Sequence, residues 1–362
     1  MYINQAKKLI KEILKNEDAP PVILYGSPGI GKTRIMEQIA EELNWTIYEI
    51  EGKQISRNGV YTINGTVMSL VDITGVPFAD KDAKKAYYTR PSIIPDECDE
   101  GPGIIFIDDI GNATSSVQAM LYAAVLERRF GVHKIQKGWR IAAATNKESD
   151  LTGVTKILPA LANRFGLHLE VEADVNDWIE GFAIPQGILP EIIAFHRYMI
   201  EKRGINALFD FDPKLSGYAF ATPRSWERVD WFLKHGFDSI EVISGAVGPK
   251  VASEFKAYLE YIKSMPDVDK ILKGEFLYPE DVKIMYALAS IIVNKAIKDH
   301  SVIPTVVRYC SEIPKKLIEF SVVILKDLWH SSKEISNIIK KCKEFREYAN
   351  KHRDLFFEEG GG

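Results

Sequence analysis

Residues 26–33 read Gly-Ser-Pro-Gly-Ile-Gly-Lys-Thr, and few strings of eight residues restrict a fold as tightly. They satisfy the pattern G-x-x-x-x-G-K-[ST], and the flanks are those the pattern needs. Val22-Ile23-Leu24-Tyr25 before it is an apolar run of strand type, and residues 34–43 after it repeat apolar positions at helical spacing. Glycines let the backbone turn until successive N–H groups face phosphate oxygens at a helix N-terminus. Gly26, Ser27, Pro28, Gly29, Ile30 and Gly31 would build that cradle. Lys32 would reach the β- and γ-phosphates, and the Thr33 hydroxyl would ligate Mg²⁺. A chain so built binds a nucleoside triphosphate on a parallel α/β sheet.

Two later strand signals suit the same sheet. Gly103-Ile104-Ile105-Phe106-Ile107-Asp108-Asp109 is an apolar run ending in paired acids, as expected of a buried parallel strand whose C-terminal edge faces a ligand. Asp108 would hold the metal, directly or through water; Asp109 would orient or deprotonate the attacking water. Arg140-Ile141-Ala142-Ala143-Ala144-Thr145-Asn146 ends in a polar pair at the equivalent edge. Asn146 would hold the lytic water or touch the γ-phosphate, a turn-forming Asn being the ordinary alternative. Between these strands, 115–129 reads as a helix and 132–139 as a small hairpin.

Around them, 3–15 forms an amphipathic helix and 45–50 reads as a second strand. The segment 52–100 is irregular, broken by Gly59, Gly65, Gly75, Pro77, Pro91 and Pro95. Arg164 closes a short helix after Pro159. Arg224 sits on the first turn of a helix that Thr222 caps and Pro223 opens. In a chain with 46 Lys and Arg, spacing alone leaves either arginine as a surface charge.

The chain has 362 residues, enough for two or three domains, and its net charge of −4 gives no global pull toward nucleic acid. No apolar run reaches the roughly 18 residues that span a bilayer, and the N-terminus has no signal-peptide core. Cys98, Cys310 and Cys342 lack metal-ligand spacing, so the expectation is a soluble, cytoplasmic protein without zinc or disulfides. Three regions are expected: a nucleotide-binding core over 1–175 with an insertion at about 52–100, a helical lid over 176–265, and a helical extension over 266–362 with a disordered tail. Trp226, Trp231 and Phe232 should fill the lid's core. The lysines of 333–351, interleaved with acids, read as a solvated helix face.

Taken together, the ordered set resembles the AAA+ ATPases, specifically the MoxR-like branch. The resemblance rests on the phosphate loop, 104–109, the strand ending at Asn146, Leu161-Ala162-Asn163-Arg164-Phe165 and 222–228. Gln118-Ala119, Trp139-Arg140-Ile141 and Asn146-Lys147-Glu148-Ser149-Asp150 add detail, and within the insertion 72–77 and 90–95 are similar too. It implies a doubly wound P-loop core followed by an α-helical lid and a helical extension. It also implies ATP and Mg²⁺ as cofactors, Asn146 as a first sensor, Arg224 as a second sensor, and Arg164 as an arginine finger acting on the neighbouring subunit's ATP. Asp109 departs from the usual Glu at the catalytic-base position. A carboxylate one methylene shorter can misplace base and water by about 1 Å, on the order of 100-fold in rate.

The resemblance further implies a homo-oligomeric ring, of six subunits, that remodels or chaperones a protein client, with a von Willebrand factor A domain protein as partner. Two other functions stand beside this one: a slowly hydrolysing, nucleotide-gated assembly scaffold, suggested by Asp109, and a DNA-directed motor or loader. The acidic balance argues against the last, so neither nucleic acid nor membrane is an expected partner.

Overall fold

The computed structural model describes residues 1–45, 49–50, 53–54, 59–82, 84–150, 157–214 and 217–352. Part of the expected second strand (46–48), parts of the insertion and the expected disordered tail lie outside the described residues. The chain divides into two compact units, the first running from Met1 to Ala173 and the second beginning at Asp174.

The first unit is built on five parallel strands: β1 (Val22–Tyr25), β2 (Val60–Asn64), β3 (Gly103–Asp108), β4 (Trp139–Thr145) and β5 (Leu167–Glu170), in the order β5-β1-β4-β3-β2. Strand β1 has neighbours on both sides, β5 and β4, so the chain adds strands on either side of the phosphate loop and the sheet is doubly wound. Ile104, Ile105, Phe106 and Ile107 of β3 are fully buried, as are Ala142, Ala143 and Ala144 of β4. This accounts for their continuous apolar runs: both faces of a parallel strand are covered. The helix α1 (Ile3–Leu14) buries Ala6, Ile10 and Leu14. Its lysines Lys7 and Lys11 pair with Glu42 of α2 (Lys32–Glu42). Arg140 of β4 fastens α1 further, donating to the carbonyls of Leu14 and Lys15 while its guanidinium lies over Trp45.

The edge strand is a correction to the sequence reading. Glu49–Ile50, within the run expected to be the second strand, pairs antiparallel with Lys53–Gln54 in a separate ribbon. The strand beside β3 is instead Val60–Asn64, inside the segment read as irregular. Val, Tyr, Thr and Ile between Gly59 and Gly65 are strand formers, but the flanking glycines dominated the reading. The expected hairpin also shifts: Arg129–Phe130 pairs with His133–Lys134, placing the turn at Gly131.

Among its described residues, the regular elements of the second unit are all helices, apart from one isolated bridge. One apolar cluster extends from Val175 to Tyr348 and so includes both the expected lid and the expected extension. Its principal helices are α5 (Pro190–Arg203), α6 (Pro223–Lys234), α7 (Val282–Lys298) and α8 (Ile318–Ser331). Trp226 of α6 is fully buried among Phe195, His196 and Phe255. Trp231, expected in the core, is exposed and stacks on His235 one turn later. On α6 it sits five residues from Trp226 and faces solvent. Arg197 and Asp327 form a buried two-point ion pair between α5 and α8, each contact 2.7 Å.

Candidate nucleotide site

The loop's geometry follows from its glycines. Gly29 and Gly31 adopt φ of +74° and +105°, conformations that a side chain would strain. Gly31 is the residue from which α2 starts, so the first free N–H groups of that helix follow the loop directly. Gly26 is required for a different reason. A Cβ there would lie 2.6 Å from Ile30 Cδ1 and 2.8 Å from the Val171 carbonyl oxygen. The loop therefore leaves β1 with no room to spare.

Two side-chain contacts tie this loop to the ends of the neighbouring strands. Lys32, buried, donates from Nζ to Asn146 Oδ1 at 2.8 Å and to the carbonyls of Gly26 and Ser27 at 2.7 and 2.9 Å. Thr33 donates from Oγ1 to Asp108 Oδ2 at 2.6 Å. Four residues read separately along the sequence thus meet in two direct hydrogen bonds at the C-terminal edge of β1, β3 and β4. Lys32 thus presents a buried ammonium at this edge, and a buried cation is a ready partner for a polyphosphate because an anion compensates its charge better than carbonyl oxygens do.

The Thr33 hydroxyl beside the Asp108 carboxylate is a donor set suited to Mg²⁺, which takes oxygen ligands and is usually held by one or two carboxylates together with substrate phosphates. No cluster of three metal-ligating side chains occurs among the described residues, so such an ion would be held jointly with a bound nucleotide. Thr33 and Asp108 would hold it, and when bound it would neutralise charge on the β- and γ-phosphates.

Asp109 lies just past β3 in a left-handed conformation, φ +49°, and its backbone N–H donates to Asp108 Oδ1 at 3.0 Å. The Asp108 carboxylate is thereby fixed through both oxygens. Gly65, at the end of β2, donates from its backbone to the Asp108 carbonyl at 2.8 Å, and a Cβ there would come within 2.7 Å of the Asp109 carbonyl. The sequence reading missed this support; the Asn64-Gly65 pair closing a β-branched run was the available signal.

The two arginines belong to other elements. Arg164 follows the short helix Pro159–Ala162; its guanidinium lies 4.4 Å over the Tyr122 ring, and its buried Nε has no hydrogen-bond partner. Its described contacts include none of residues 26–33. Arg224 belongs to the second unit and is exposed on the first turn of α6. Thr222 accepts from the Ser225 N–H at 3.1 Å and thereby caps that helix as the sequence predicts.

Comparison with known proteins identifies the segment that carries these groups. Residues 22–173 match the sequence model of the ATPase family associated with various cellular activities (AAA). This stretch is an AAA domain. The chain is also similar to the Holliday junction branch migration complex subunit RuvB of Staphylococcus haemolyticus, with 27% identity over 171 residues. That alignment covers 44% of this chain and 40% of the relative. For the RuvB subunit of Phytoplasma mali the identity is 24% over 191 residues, covering 50% and 45%. The chain therefore spans less than half the length of these curated relatives. Among solved structures, the Thermotoga maritima RuvB branch migration motor overlaps at a TM-score of 0.37 with 16% identity, covering 82% of this chain and 84% of that one. NtrX from Brucella abortus in complex with ADP overlaps at 0.34 with 12% identity, covering 97% and 68%. The AAA match supports ATP hydrolysis in general terms, and the matched stretch contains Lys32, Thr33, Asp108 and Asn146. No helix among the described residues is long and apolar enough to cross a membrane.

Proposed function

We propose that the protein is a MoxR-like AAA+ ATPase that works as a ring, using ATP binding and hydrolysis to remodel a protein client. The observation that supports this reading most is the pair of bonds Lys32–Asn146 and Thr33–Asp108, which join the phosphate loop to two strand ends. On this reading ATP displaces both partners. Lys32 moves from Asn146 to the β- and γ-phosphates, freeing the Asn146 amide to hold the attacking water. Asp108 and Thr33 would hold Mg²⁺, and Asp109 would position or deprotonate that water. Arg164 acts on the ATP of the adjacent subunit. Its guanidinium, resting on an aromatic face, gives up only a weak attraction, on the order of 0.5–2 kcal/mol, when it turns to a phosphate. Arg224 would report the γ-phosphate from the helical unit. A von Willebrand factor A domain protein is the partner this reading suggests.

Steady-state ATPase activity against protein concentration, with mass followed by light scattering, tests it. Activity per subunit should rise together with assembly into a ring. Constant turnover by a monomer would overturn the shared site, and a ring with almost no turnover would favour a nucleotide-gated scaffold that uses Asp109 poorly.

A second reading, a DNA-directed motor, draws on the name of the RuvB relatives. Binding to DNA that weakens steeply with salt would favour it. An absence of binding at low salt would remove it.

A further inference from the structure

The short helix before Arg164 is held at both ends by side chains that lead back to the nucleotide site. At its N-terminal end, the backbone N–H of Leu158 donates to Gln118 Oε1 at 2.9 Å. Gln118 is 1% exposed, and its Nε2 donates at 3.2 Å to the carbonyl of Ala113, four residues beyond Asp109. At the C-terminal end, the carbonyl of Ala162 lies 3.1 Å from His168 Nε2, and His168 Nδ1 lies 3.1 Å from the Tyr25 hydroxyl. Tyr25 is the residue immediately before Gly26. A carbonyl accepts only, so Nε2 must carry the proton; Nδ1 of the neutral ring is then an acceptor, and Tyr25 must donate. The tautomer and the direction of the chain are fixed by these partners. Tyr25 and His168 also stack, with rings 15° from parallel. Burial raises the Tyr25 phenol above its ordinary value, which keeps its proton available for donation.

We propose that Gln118 and the Tyr25–His168 pair are positioning residues: a two-point clamp that couples the phosphate loop and the Asp108–Asp109 turn to the aim of Arg164. The proposal rests on the reading that Arg164 acts on a neighbour's ATP. The helix is only one turn long and makes few intrahelical bonds, so its orientation depends on anchors outside it. Each anchor begins one residue or one turn from groups that, on that reading, would contact phosphate or metal. When the loop rearranges around a nucleotide, the displacement reaches Arg164 through atoms in direct hydrogen-bond contact. The anchors hold the aim of Arg164 even in a subunit whose own site is empty, so their loss is felt there too.

The test uses mixed rings in which each subunit type lacks one half of the site. Arg164→Ala subunits keep an intact phosphate loop, and Lys32→Ala subunits keep an intact Arg164. Mixing them should restore some turnover; no restoration would overturn the shared site and the clamp with it. Adding Tyr25→Phe to the Lys32→Ala subunit then isolates the clamp, since that subunit's own nucleotide site is already disabled. Restored turnover should fall about five-fold, the scale of one lost hydrogen bond. Gln118→Met in the same background should reduce it about ten-fold, because the bond lost is buried. Undiminished restoration with both variants would overturn the clamp while leaving the shared site standing. Loss with only one would replace two anchors by a single one. Tyr25→Phe retains the ring and its stacking, so the result holds even where Gln118→Met destabilises the fold. His168→Phe combined with Tyr25→Phe should be no worse than either alone, whereas additive losses would contradict a linear chain.

Discussion

The two units treat their buried polar groups in opposite ways. In the first, Lys32, Thr33, Asp108 and Asn146 gather where strands end, each holding a partner that a phosphate or cation could replace. In the second, Arg197 and Asp327 face each other between helices with both oxygens and both terminal nitrogens used. His196 lies wholly buried among Trp178, Phe195 and Trp226, its ring nitrogens without partners. Polar groups at a sheet edge can exchange partners and so do chemistry. Those enclosed in a helical core fix a packing arrangement, and their loss is felt in stability.

The comparison can be broken most sharply at Arg164, where a change within the first unit should alter rate alone. If Arg164 acts as proposed, Arg164→Ala should lower turnover by about 10³- to 10⁵-fold, the scale of an arginine finger, with nucleotide binding retained. A fluorescent nucleotide titration beside the ATPase assay checks this; an equal loss of binding would move Arg164 out of the reaction. In the second unit the corresponding change is Arg197→Ala, which leaves Asp327 buried and unpaired. It should cost about 3–5 kcal/mol of that unit's stability, read by thermal or urea unfolding. A cost below about 1 kcal/mol would show that the pair is exposed to water in solution.

The smallest effect sharpens the same contrast through pH. Burial lowers the His196 pKa from 6.5 to about 3. Above pH 6.5 the ring is neutral folded and unfolded, so it adds no pH dependence. As pH falls from there toward 3, the unfolded chain takes up a proton that the folded chain refuses. Stability should then drop by about 1.4 kcal/mol per pH unit from this group. Urea unfolding between pH 6.5 and 5, before most carboxylates titrate, should show that slope. His196→Phe should remove it, and an unchanged slope in the variant would assign the effect to other groups.

Much of the first unit was legible because its signals are local. The phosphate loop must lie next to β1 and α2, and apolar runs ending in Asp108 or Asn146 can only be buried strands with polar tips. Parallel pairing then brings those tips together without further instruction. The edge strand Val60–Asn64 was hidden because Gly59 and Gly65 mark turns, and a strand with Thr62 and Asn64 exposed lacks the long apolar run of a central one. Trp231 was misread for a related reason: helical spacing places it off the face that Trp226 buries, a distinction of direction that counting aromatics overlooks. The Tyr25–His168–Ala162 chain and the Gln118 bridge were out of reach altogether. They join residues separated by 143 and 40 positions, and nothing in either neighbourhood signals the contact.

The central claim is that phosphate chemistry resides at the edge where Thr33 meets Asp108. Asp108→Asn tests it most directly, since it keeps the side chain's shape while removing the charge that would hold Mg²⁺. Turnover and nucleotide affinity should be measured on the same preparation. The account predicts that hydrolysis falls by about 10²- to 10³-fold, while nucleotide still binds. Full turnover in the variant would contradict it.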